Sequence, residues 1–177
     1  MKFLKKPGVA WVITILMIII AISIGSPKTN TPTPGPAPTS PSISQNAYYF
    51  VQDDAGILTD REERELAGIN ERLNETMGVV IACVTTTEGR SNISRTALDY
   101  ADRMGAMECD FIIVVDMESA EYILMAGSGI SHLFTEEDCQ SYADYCMLDA
   151  LNDGRYGDAF LNLANELADW YTDHYVG

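Results

Sequence analysis

The chain has 177 residues, 47% of them apolar, with 26 acids against 11 lysines and arginines and a net charge of −15 at pH 7. That balance excludes a nucleic-acid binder, because such binding rests on Lys and Arg neutralising phosphates. The charge is also divided: Lys2, Lys5, Lys6 and Lys28 all precede position 46, and every acid follows it, so two parts of the chain are suited to different surroundings.

Residues 1–25 read as a basic stub followed by an apolar run. Val9 to Ile24 carries no charge, and its only side-chain hydroxyls are those of Thr14 and Ser23. As a helix this run spans about 24 Å, slightly less than the ~30 Å hydrocarbon core of a bilayer. Residues 9–24 are therefore expected to cross the cell membrane once, with Lys2, Lys5 and Lys6 holding the N-terminus in the cytoplasm. The length and the Ile-rich core favour an uncleaved signal anchor. Ser23-Ile24-Gly25 also fits a cleaved signal peptide, which would release a secreted protein. Both routes carry the remainder out of the cytoplasm.

Residues 26–46 hold six of the seven prolines, with Ser and Thr filling much of the rest. Such a segment builds no core and is expected to be an extended, partly polyproline II linker, reaching at most about 65 Å.

Residues 47–177 suffice for one domain. They contain seven arginines, no lysine and no proline, and their net charge is −19. Thr59 with Glu62 predicts a capping box, and Leu66, Ile69, Leu73 and Met77 then recur at helical spacing up to Gly78. Val79 to Thr85 is a continuous apolar, β-branched run, which predicts a strand covered on both faces. Ser94 to Met104 predicts a second helix stopped by Gly105. Phe111 to Val115 is a second buried strand ending at Asp116. Only a short polar turn separates it from Glu121–Ala126, which predicts a hairpin. Thr135 with Asp138 caps a third helix, with Cys139, Tyr142, Cys146, Met147 and Ala150 on one face. A last helix from about Gly157 turns Phe160, Leu163, Leu167 and Trp170 inward. This order predicts a three-layer α/β sandwich with a small mixed sheet.

Four motifs then stand in a telling order. Asp53-Asp54-Ala55-Gly56-Ile57-Leu58 precedes the first capped helix, and Gly78-Val79-Val80-Ile81 enters the first strand. Ala126-Gly127-Ser128-Gly129-Ile130 follows the hairpin, and Gly154-Arg155-Tyr156-Gly157-Asp158-Ala159-Phe160 opens the last helix. Together they resemble the TPM domain, known from thylakoid-lumen, photosystem-repair and receptor-associated proteins and from bacterial membrane proteins. The likeness covers nearly all of residues 48–174. It implies a Rossmann-like α/β/α fold, often membrane-tethered and facing away from the cytoplasm. Some members bind calcium, and a plant member is reported to act as an acid phosphatase. This chain departs from the pattern in two places: the loop Gly105–Asp110 is short, and Met117-Glu118 stands where a basic residue often follows the strand.

Asp53 and Asp54 precede the first helix, where aspartate serves a turn or, with loop carbonyls, ligates a hard cation such as calcium. Asp116 is the third candidate metal ligand, because ligands gather at the carboxyl ends of strands in such sheets. Asp158 is a further carboxylate to place. Gly127, Ser128 and Gly129 are a candidate anion-binding loop through their backbone amides. No nucleotide is expected, since a phosphate loop ending in lysine is missing from a lysine-free domain. Ser128 and His132 lack any nucleophile-elbow context. Cys139 and Cys146 lie about 10 Å apart if helical, too far to bridge, and the four cysteines are expected to be thiols.

These features lead to two expectations. The first is a single-pass, membrane-tethered extracytoplasmic accessory domain that binds or helps assemble a membrane-protein partner, with calcium as the expected ion. The alternative is a metal-dependent acid phosphatase on the outer face of the membrane.

Overall fold

A computed structural model describes residues 45–90 and 92–175. The expected membrane segment at 9–24 and most of the linker lie outside them. Among the described residues no helix is long and apolar enough to cross a membrane.

The elements run α1 (Gln45–Tyr48), β1 (Val51–Asp53), α2 (Asp60–Met77), β2 (Ile81–Thr86), α3 (Ile93–Met104), β3 (Phe111–Asp116), β4 (Glu121–Ala126), α4 (Glu136–Asn152) and α5 (Tyr156–His174). The sheet order is β1-β2-β3-β4. β1, β2 and β3 are parallel, and β4 returns antiparallel to β3 with Asp116 opposite Glu121 and Phe111 opposite Ala126. The predicted hairpin is therefore present, and so are both capping boxes, Thr59 with Glu62 and Thr135 with Asp138. Each satisfies orphan N–H groups at a helix start.

β2 and β3 are buried at every position, as their uninterrupted apolar runs predict, and helices cover both faces. Ile81, Cys83, Phe111, Ile113 and Val115 face the larger core, built with α2, α4 and α5. Ala82, Val84, Ile112 and Val114 face Ala97, Tyr100 and Met104 of α3. This is the predicted three-layer α/β/α sandwich. The two parallel crossovers step the same way across the sheet yet put α2 and α3 on opposite faces. They are therefore of opposite hand, and one is the rare left-handed kind.

β1 is absent from the sequence-based expectation. Its three residues pair with Cys83, Val84 and Thr85 only, so Ile81 has no strand beside it on that edge. Asn70 of α2 takes the place of one. Buried, it accepts from the Ile81 N–H at 2.8 Å and donates to the Ile81 carbonyl at 3.0 Å. A buried backbone pair left without partners would be costly.

At the same end of the sheet, where Phe111 stands beside Ile81, Phe111 meets Phe134, Trp170 and Tyr171 edge-on, with ring centroids 4.9, 5.5 and 5.3 Å away. These contacts tie β3 to α5 and to the segment before α4. Below them, Asp110 accepts from Val80 N at 2.8 Å and Met107 N at 2.6 Å, and burial raises its pKa above the usual carboxylate value. Phe111→Ala should cost about 3–5 kcal/mol, measured by urea unfolding. A loss under about 1 kcal/mol would show that this ring cluster does not hold the layers together.

Candidate functional site

The carboxyl edge of the parallel strands is formed by Asp53 at the end of β1, Thr85 and Thr86 at the end of β2, and Asp116 at the end of β3. Register sets Asp53 beside Thr85 and Thr86 beside Asp116. Two of the three predicted metal ligands, Asp53 and Asp116, thus lie on one edge with the end of β2 between them, and Asp54 follows Asp53 directly.

The hydrogen bonds decide what each can do. Asp53 Oδ1 accepts from Ile57 N at 3.1 Å and from the Thr85 hydroxyl, and Oδ2 accepts from Leu58 N at 2.9 Å. The same threonine oxygen accepts from Ala55 N at 3.1 Å, and Asp54 N donates to the Thr85 carbonyl at 3.1 Å. Gly56, at φ 65°, closes the turn in the left-handed region. Asp53 is thus the organiser of the turn that launches α2.

Asp54 is exposed, and its Oδ2 accepts from the Tyr100 hydroxyl at 2.7 Å. Burial, followed by the bond to Asp54, raises the Tyr100 pKa. The Tyr100 ring also lies under the Arg103 guanidinium, 3.9 Å from its centroid. Asp116 is only 1% exposed. Its Oδ1 accepts from Glu118 N at 2.9 Å and Ser119 N at 3.4 Å, which shapes the hairpin turn. Asp116 Oδ2 and Ser119 Oγ are buried without a hydrogen-bond partner among the described residues.

A calcium ion takes six to eight oxygens. Among the described residues no three His, Cys, Asp or Glu side chains could hold a metal ion together, so Asp53, Asp54 and Asp116 form no ready cage. Asp158 is paired with Arg155 at 2.9 Å at the start of α5. There Gly157 has a steric role: a Cβ would collide with the Glu62 carboxylate of the neighbouring α2 cap.

Gly127, Ser128 and Gly129 stand at the opposite edge from Asp116, because β4 runs antiparallel. Gly127 N donates to the Asp110 carbonyl at 2.8 Å and Gly129 N to the Glu108 carbonyl at 2.7 Å. Those two amides are not available to an anion. The glycines permit a close approach instead, since a Cβ at Gly127 would collide with the Glu108 carbonyl.

All four cysteines are free thiols. Burial pushes the pKa of Cys83 up to about 12 and those of Cys139 and Cys146 up to about 11.

Sequence reasoning missed Thr85, Tyr100 and Ser119. The available signal was the Tyr49-Phe50-Val51 run ahead of Asp53-Asp54, an aromatic and β-branched stretch that marks a short strand. Asp53→Ala should destabilise the domain by about 1–3 kcal/mol, because three donors lose their acceptor. Asp54→Asn keeps an acceptor for Tyr100 and should change stability by under about 0.5 kcal/mol. Thermal melting of both variants checks this, and equal losses would contradict the division of roles.

A family model described as the TPM domain matches residues 51–170. No curated protein matches the sequence. Among solved structures, the N-terminal domain of a Porphyromonas gingivalis (P. gingivalis) protein is similar with a TM-score of 0.65 at 16% identity, covering 73% of this chain and 85% of its own. The N-terminal domain of a Corynebacterium glutamicum protein has a TM-score of 0.57 at 15% identity, covering 80% and 90%. A protein of the psychrophilic bacterium Bizionia argentinensis has 0.53 at 12% identity, covering 63% and 79%. At these identities the likeness concerns the fold. Since the family model spans well over half of the sequence, the chain belongs to the TPM domain family.

Proposed function

We propose that the chain is a single-pass, membrane-tethered accessory domain, facing away from the cytoplasm, that binds or helps assemble a membrane-protein partner through its acidic surface. What carries this reading is how the carboxyl edge commits its acids. Asp53 holds its own turn through Thr85, Ile57 and Leu58, and Asp54 holds Tyr100. Groups engaged in holding the fold are poorly placed to ligate a metal or move a proton. The lysine-free surface, at −19 for residues 47–177, favours a basic partner and speeds its approach.

A second reading, a metal-dependent acid phosphatase, is favoured by one observation: the buried Asp116 Oδ2 and Ser119 Oγ lack partners among the described residues, and a carboxylate in that state invites a cation such as calcium. One assay separates the two readings. The full chain in detergent micelles is offered p-nitrophenyl phosphate with and without calcium, beside Asp116→Asn. The accessory reading predicts the same background rate in every arm. Calcium-dependent turnover abolished by Asp116→Asn would overturn it.

A further inference from the structure

The sheet has an open side. β4 ends it, and a groove of about 920 Å³ runs along that outer edge, floored by Ile123 to Ala126 and walled by Phe134, Glu136 and Glu137. The backbone there is arranged in a definite way. Just past the ladder, Gly127 N donates to the Asp110 carbonyl. Antiparallel alternation then turns the N–H and C=O groups of Glu121, Ile123 and Met125 toward β3, and those of Tyr122, Leu124 and Ala126 away from it. The Ala126 N–H meets the Cys139 thiol. The Leu124 N–H and C=O have no partner among the described residues.

The edge left open at Leu124 is a template for another strand, and natural sheets usually blunt such an edge with lysine, proline or a bulge. β4 has none of these in Glu121-Tyr122-Ile123-Leu124-Met125-Ala126. Its α3-facing side chains, Ile123 and Met125, are half-buried and pack against the α3 layer. On the other side the rim is acidic, with Glu136 and Glu137 in the first turn of α4, and no basic residue lines the groove.

We propose that the β4 edge receives an extended segment of a protein partner, added as a fifth strand. Its apolar residues would alternate onto Ile123 and Met125, and its lysines or arginines would lie beside Glu136 and Glu137. This deepens the accessory reading and rests on it. Charge selects the occupant: a second copy of the domain would bring its own net negative charge against these glutamates, and like charges brought together across an interface are unfavourable. The chain's own residues 26–44 hold six prolines, each lacking the N–H that a ladder needs.

The test uses the full chain in zwitterionic detergent micelles and a fluorescent eight-residue peptide of alternating valine and lysine, followed by anisotropy. A second peptide of the same sequence is N-methylated at alternate amides, which keeps its charge and side chains but removes one row of donors. The unmodified peptide should bind at least about tenfold more tightly than the methylated one. Ile123→Lys, a half-buried edge position, should weaken binding by a similar factor. Glu136→Gln with Glu137→Gln should weaken it severalfold while leaving the fold intact by melting. Equal binding of both peptides would overturn strand addition, as would no binding, or a chain dimeric through β4 before any peptide is added. Any of these outcomes moves the docking surface elsewhere without making the domain an enzyme. Calcium-dependent phosphatase turnover would instead remove the accessory reading itself.

Discussion

Strand β3 is buried at all six of its positions, on both faces. A strand in that state needs helices above and below and a partner on each side, because its backbone groups have no water to turn to. α2, α4 and α5 supply one cover and α3 the other, while β2 and β4 supply the pairing. The functional geography follows. The end of β3 sets Asp116 at the carboxyl edge. The four-residue return to β4 sends Gly127, Ser128 and Gly129 to the far edge and leaves β4 as the last strand.

Several acids of this domain act as acceptors for loop and cap backbone. Asp53 gathers the turn before α2, Asp110 gathers the loop before β3, and Asp116 shapes the hairpin. Glu62 and Asp138 close capping boxes. Structural carboxylates and catalytic carboxylates look alike in a sequence; the number of donors already aimed at each oxygen distinguishes them. By that measure the buried carboxylate oxygen left without a donor among these is Asp116 Oδ2.

The helices α2 to α5 and the two central strands were legible in the sequence because their signals are local, whereas the four-residue α1 was not. Thr59 with Glu62 and Thr135 with Asp138 are three residues apart, and the β-branched runs at 79–85 and 111–115 are contiguous. β1 shows in the sequence only through the Tyr49-Phe50-Val51 run, since three residues are too few to show a period. The Asp53–Thr85 bond, the Asp54–Tyr100 bond and the Asn70 bridge depend on strand register and layer contacts across 32, 46 and 11 residues, which no local pattern encodes. The glycine loop was legible as a loop but not as to its edge, because that depends on the direction of β4. Gly157 reads as helix punctuation in sequence, whereas in the fold it makes room for Glu62.

The proposed role depends on which side of the bilayer this acidic domain occupies. An accessory module on the outer face meets the exposed loops of membrane proteins, within the reach that a linker of residues 26–46 would give it. The most direct measurement is protease accessibility of a C-terminal epitope on the full chain in intact cells. Loss of the epitope with cytoplasmic markers untouched is the predicted result. An epitope that survives until the cells are opened would contradict it.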